Sequence, residues 1–207
     1  MTEHGFTLFD TAIGLCGIAW SGRGITAVQL PEADAAKTRA RLLRRSPELR
    51  EASPPPEVQR AIDGIVALLR GEAADLSRIV LDMERIEPFE RQVYEIARTI
   101  APGATLSYGE IAVRLGDRLL ARDVGQALGR NPFPLIVPCH RVLAAGGKTG
   151  GFSANGGITT KLRLLTIERA RTSNEPTLFD GDDAFGLAAR PKSAERSLRT
   201  RRRASIR

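Results

Sequence analysis

The spacing of apolar residues changes along the chain, and the changes mark its elements. In the first thirty residues, apolar positions alternate loosely with small or polar ones, and Gly14, Gly17, Gly22 and Gly24 punctuate them. This predicts two or three short antiparallel strands, with Cys16 inside one as a small buried hydrophobe. "EADAAKTRARLLRRSPEL" has helical composition and stops near Ser46-Pro47. After the break "SPPPE", a proline-led helix is predicted from about Glu57 to Leu69, ending at Gly71. "LSRIVLDM" reads as a strand, and a boundary falls at Ile86 to Pro88.

The second half has a helical rhythm. Phe89, Val93, Ile96, Ala97 and Ile100 form a stripe at helical spacing. "APGATL" is a turn. "SYGEIAVRLG" opens with Ser107 and has Glu110 three residues on, a capping-box spacing, and closes on Gly116. "LARDVGQALGRN" is a second short helix, and the pair reads as a helix-turn-helix. "TTKLRLLTIERAR" supplies a last helix, with Leu162, Leu165 and Ile167 or Glu168 toward its inner side. The fold class expected is α+β: a small N-terminal antiparallel sheet with helices, then a mostly helical part containing the helix-turn-helix.

Composition adds bounds. The chain has 207 residues, 42% hydrophobic and 27% charged, as an ordinary globular protein does. No apolar run of about 18 residues or secretory leader is evident, so neither a membrane span nor export is expected, and a cytoplasmic location is. The net charge of +7 is carried by residues 190–207, which hold eight Lys/Arg and one acid. That segment reads as a disordered basic tail able to attract polyanions or simply to be solvated.

Two cysteines far apart make no disulfide framework. A zinc site would need His4, Cys16, Cys139 and His140 together, and their spacings resemble no finger, so no metal is expected. Cys139 beside His140 in "NPFPLIVPCHRVLAAGG" points instead to a nucleophile next to a base, or else to a buried inert thiol and a packed histidine. Adjacent residues of a strand face opposite ways, so a turn after Pro138 is needed to bring both to one site. A base also needs an orienting group, and Glu168 on the last helix is the candidate.

"PCHRV" resembles the active-site signature of the methylated-DNA–protein-cysteine S-methyltransferases, the O6-alkylguanine-DNA alkyltransferases. "PFERQVYEIARTIAPGATLSYGEIA" resembles that family's helix, turn and first helix of its helix-turn-helix. "ARDVGQAL" is similar to its recognition helix, "NPFPLIVPCHRVLAAGGKTGGFS" to its asparagine hinge, nucleophile and substrate loop, and "KLRLLTIE" to its closing helix. The likeness is strong from Pro88 to Arg171 and holds only in outline before that.

The resemblance implies a ribonuclease-H-like domain over 1–86, an alkyltransferase and DNA-binding domain over 87–171, and a tail over 172–207. It implies repair of O6-alkylguanine in double-stranded DNA by a monomer that flips the base out through the minor groove. The alkyl group passes once and irreversibly to Cys139, and no cofactor is used. His140 and Glu168 are implied as a proton relay, Asn131 as a hinge, Tyr108 and Arg122 as the residues that turn the nucleotide out and fill its place, and Val142 (through its backbone) and Ser153 as holders of the base. Arg141 is expected to be a structural ion-pair residue.

Alone, Arg122 reads as a solvated helix charge and Tyr108 as a packing residue; beside "PCHRV" they favour the functional role. The sequence departs from the family pattern at Asp123, Tyr94 and Phe152, and its loop "FSANGGITTK" is longer by two residues. The alternatives are a lesion-binding module of the alkyltransferase-like kind, which lacks the nucleophile, a cysteine hydrolase, and a helix-turn-helix regulator.

Overall fold

A computed structural model describes residues 4–170. The tail expected over 172–207 lies outside the described residues.

Three strands form an antiparallel meander in the order β1 (Gly5–Thr11), β2 (Gly14–Ser21), β3 (Gly24–Gln29). Gly14 and Gly24, at φ +124° and +142°, begin the strands that follow the two tight turns, a backbone region open to glycine at little cost. Helix α1 (Ala35–Leu43) starts at Asp34, whose carboxylate accepts from the Lys37 N–H at 2.7 Å. Helix α2 (Pro56–Leu69) opens on proline and buries Val58, Ala61, Ile62, Ile65, Leu68 and Leu69, one face at helical spacing.

The remaining elements are α3 (Pro88–Arg98), β4 (Leu106–Ser107), α4 (Tyr108–Arg114), α5 (Ala121–Gly129), β5 (Val142–Leu143) and α6 (Ile158–Ile167). The capping box predicted at the start of α4 is formed. The Glu110 N–H donates to Ser107 Oγ at 3.1 Å, and the Ser107 N–H donates to the Glu110 carboxylate at 2.6 Å. A single 3₁₀ turn (Arg118–Leu120) joins α4 to α5, completing the helix-turn-helix. The fold is α+β, with the sheet first and the helices after it.

One apolar cluster runs through both halves. It includes Cys16, Ile18 and Trp20 of β2, Ile65 and Leu68 of α2, Tyr94 of α3, Val124 of α5, Leu164 of α6, and Phe133 in the stretch after α5. The edges of the meander are occupied by irregular chain. Segment 50–52 bonds to β1 at Phe6. On β3, the Ile25 N–H donates to the Val80 carbonyl at 3.0 Å and the Val28 N–H to the Pro132 carbonyl at 2.8 Å. Such pairing removes the open edge that would otherwise template aggregation. The Val28 bond also fastens the sheet to the stretch leading into Cys139.

Two expectations change. "LSRIVLDM" is not a strand of the sheet; it starts in a turn closed by the Ile79 N–H to the Leu76 carbonyl and touches β3 through one parallel bridge, Ile25 to Leu81. Leu162 faces outward, 42% exposed, because α6 turns Lys161, Leu164 and Leu165 inward.

Tyr94 is fully buried. Its hydroxyl donates to the Ala127 carbonyl of α5 at 3.0 Å, and its ring meets Phe133 edge-on at 6.3 Å. Tyr94→Phe removes this bond while the carbonyl keeps the Arg130 N–H as a donor at 3.1 Å, so it should destabilise the fold by about 0.5–1.5 kcal/mol, measurable as a lower urea midpoint at unchanged slope.

Candidate active site

The apolar run before Cys139 folds as a buried turn. Asn131 holds it from inside: its amide donates to the Val137 carbonyl at 2.8 Å, and its side-chain oxygen accepts from the Phe133 N–H at 2.9 Å. Leu135, 1% exposed, adopts φ +75°, a strained conformation that the surrounding core must hold in place. Pro138 at φ −80°, ψ 68° makes a tight three-residue turn, with the Cys139 N–H donating to the Val137 carbonyl at 2.8 Å. Cys139–Arg141 then form one 3₁₀ turn, so successive side chains diverge by about a third of a revolution. Cys139 stays partly exposed while His140 goes inward.

His140 Nε2 lies 2.9 Å from one Glu168 oxygen, and both side chains are almost completely buried. Glu168 caps the end of α6. It also accepts two hydrogen bonds from the Arg141 guanidinium, each at 2.8 Å. Burial works to raise the Glu168 carboxyl, but the bonds from His140 and Arg141 outweigh it and hold it at about 2. The carboxylate is ionised at neutral pH and can only accept, so His140 carries its proton on Nε2. Nδ1 is then the basic nitrogen, and it has no hydrogen-bond partner among the described residues. Burial lowers the His140 pKa further, so the ring is neutral and able to take a proton. Arg141 also donates to the Ile100 carbonyl, an anchoring role that matches its expected structural part.

Burial raises the Cys139 thiol, opposed by hydrogen bonding from Asn131, the charge of Lys161 and the backbone N–H groups of residues 139 and 140. Lys161 was not anticipated. It is fully buried, donates to the Val142 carbonyl at 2.6 Å and sits 5.9 Å from the centre of the Tyr108 ring. Burial lowers its pKa to about 8, with the nearby Cys139 opposing that shift. No sequence signal singles it out, because a lysine in the first turn of an amphipathic helix reads as solvated.

The parallel pairing of β4 with β5, Leu106 to Val142 and Ser107 to Leu143, sets Tyr108 beside the cysteine turn. Burial and the neighbouring Cys139 raise the Tyr108 phenol. Gly150, at φ +66°, lets the loop after β5 lie on Tyr108; a Cβ there would come within 3.2 Å of the ring and hydroxyl.

Tyr108, Arg122, Cys139, Phe152 and Ser153 line one open cleft of about 550 Å³. Arg122 and Asp123 are both exposed in the first turn of α5. That helix has no side-chain N-cap, so Asp123 complements its positive end. His140, Glu168, Asn131 and Val142 do not line this cleft. The Val142 side chain is buried, and its carbonyl keeps one lone pair beyond the bond from Lys161. Among the described residues no group of three His, Cys, Asp or Glu is placed to hold a metal ion, and no helix is long and apolar enough to cross a membrane.

Residues 88–170 match the family described as 6-O-methylguanine DNA methyltransferase, DNA binding domain. A methylated-DNA–protein-cysteine methyltransferase of Methanothermobacter thermautotrophicus is 35% identical over 152 residues, covering 73% of this chain and 78% of that one. The chain belongs to the methylated-DNA–protein-cysteine methyltransferase family. The crystal structure of Mycobacterium tuberculosis OGT in complex with DNA is similar at a TM-score of 0.64 and 34% identity, covering 80% of this chain and 92% of that one. A DNA base-flipping protein of Thermus thermophilus is 40% identical over 111 residues, covering 54% of this chain and 73% of that one. Membership makes the chain a DNA-repair methyltransferase and accounts for a cysteine turn packed against a helix-turn-helix.

Because Glu168 is held at about 2 in the fold and near 4.3 when unfolded, its contribution to stability is complete above about pH 4.3 and is lost as pH falls toward 2. Urea midpoints should drop across that window, and Glu168→Gln should shrink the drop while lowering stability at pH 7.

Proposed function

We propose that the chain reverses O6-alkylguanine damage in double-stranded DNA by moving the alkyl group to its own Cys139, once per molecule. The observation that carries this reading is the buried Glu168–His140 pair, with its basic Nδ1, next in the chain to a partly exposed thiol that lines the cleft.

The alkyl carbon of the lesion is stacked in the duplex, so the nucleotide must leave the helix at a cost of about a few kcal/mol. Arg122, exposed at the start of α5, takes its place in the stack. Tyr108 crowds the backbone beside it and keeps the base turned outward. The small residues Ala121, Gly125 and Gly129 along α5 suit a close approach to the minor groove, which carries little sequence information, as a sequence-blind repair protein requires. Ser153 and the Val142 carbonyl hold the extruded base.

At rest the thiol is neutral, since burial opposes its charge. His140 Nδ1 takes the proton through a water, and the Glu168 carboxylate stabilises the imidazolium. The sulfur electron pair attacks the alkyl carbon, the carbon–O6 bond breaks, and its electrons stay on guanine. The Tyr108 phenol, kept protonated by its raised pKa, donates to the leaving base. The product is a thioether, a poor leaving group that no group at this site can expel. The alkyl group comes from the DNA itself, so the step needs no methyl donor.

The likeness to a DNA base-flipping protein raises binding without transfer as a second reading; Cys139 favours transfer. Intact mass after incubation with an O6-methylguanine duplex separates the two. One added methyl group per chain on Cys139 is expected, with none on Cys139→Ser. Arg122→Ala should slow transfer from duplex at least about tenfold, but leave attack on free O6-benzylguanine base nearly unchanged. Lys161→Met should move the pH–rate profile for that free base upward by about one unit.

A further inference from the structure

A second groove, of about 320 Å³, opens against the proposed catalytic cleft and shares Leu128, Gly129, Cys139, Phe152 and Ser153 with it. Its far wall comes from the N-terminal half. The end of α1 and the residues after it place Arg41, Arg44 and Arg45 there, and Arg130 faces them from the end of α5. All four are exposed. Arg41 reaches Glu32 only at 3.7 Å, and Arg130 pairs with Glu90 at 2.6 Å. Among the described residues the Arg44 and Arg45 guanidiniums meet no carboxylate; Arg45 donates to the Arg130 carbonyl at 3.3 Å.

A helix C-terminus favours a nearby cation. That preference does not explain why two helices from opposite halves of the chain turn guanidiniums into one groove leading to the reactive sulfur. We propose that Arg44 and Arg45, with Arg130, form a second phosphate-binding surface, so that the N-terminal half grips the DNA strand running on from the extruded nucleotide. Guanidiniums free of carboxylates are suited to bidentate bonds with phosphate oxygens. Contacts to phosphate carry no sequence information, which fits a protein that ignores sequence. The inference rests on the reading above that a DNA lesion is the substrate.

The test compares the full-length chain with Arg44→Glu/Arg45→Glu and Arg44→Lys/Arg45→Lys. Affinity for an O6-methylguanine duplex is measured from low to moderate salt, and alkyl transfer from free O6-benzylguanine base by intact mass. The glutamate variant should lose about tenfold or more in affinity at low salt. Its log–log salt slope should shrink by about 0.9 for each phosphate that is no longer neutralised. The lysine variant should keep most of both, and all three proteins should react with the free base at the same rate. Unchanged duplex affinity and slope in the glutamate variant would overturn the inference, as would an equal loss in the lysine variant. An equal loss of the free-base reaction in the glutamate variant would also overturn it, because the damage would then lie in the fold. A parent protein that bound duplex but never gained the alkyl group would instead sink the proposed transfer and leave the surface standing.

Discussion

The buried carboxylate of Glu168 is the constraint on which the site is built. Isolated in the interior it would be forced to take up a proton. Three hydrogen bonds, one from His140 and two from Arg141, make its ionised form the stable one. Each of the three residues depends on the others. Arg141 balances the charge and ties it to the Ile100 carbonyl, and Glu168 fixes the imidazole tautomer. Because 140 and 141 follow 139 in one 3₁₀ turn, anchoring them to the end of α6 also fixes where the sulfur points. Removing Glu168 or Arg141 would leave an uncompensated buried charge, and removing the neutral His140 would take one of the three bonds from the carboxylate, so the members support one another in a way that surface ion pairs do not.

The N-terminal half contributes by holding the opposite end of the same turn. β3 donates to Pro132, Asn131 bridges to Val137, and the strained Leu135 sits between them under a packed core. A short apolar segment would otherwise relax to a lower-energy backbone. Closed at both ends, it keeps Cys139 partly exposed although the residues on either side are buried.

Much of this was legible in the sequence because it is encoded locally. Ser107 and Glu110 announce a helix start by spacing alone, and α2 and α3 show their inner faces as stripes. Cys139, His140, Asn131 and Glu168 stood out as chemical types in motifs of the family. What escaped was long-range. The outward turn of Leu162 follows from Lys161, which occupies an inward position that a hydrophobic pattern assigns to the polar face; only its bond to the Val142 carbonyl shows why it is tolerated there. The segment 76–83 holds the apolar run Ile79-Val80-Leu81 that suits a strand, yet the sheet offers it a single bridge. The reversed dihedral of Leu135 leaves no trace in composition.

The other sulfur has its own consequence. Cys16 lies on β2, fully buried, within 3.7 Å of the Thr11 hydroxyl, and burial pushes its pKa up to about 12. A thiol so reluctant to ionise is inert toward electrophiles and oxidants in neutral solution. If Cys139 accepts the alkyl group as proposed, Cys16 does not compete with it: a thiol reagent should spare Cys16 in the folded chain and reach it only when unfolding uncovers β2.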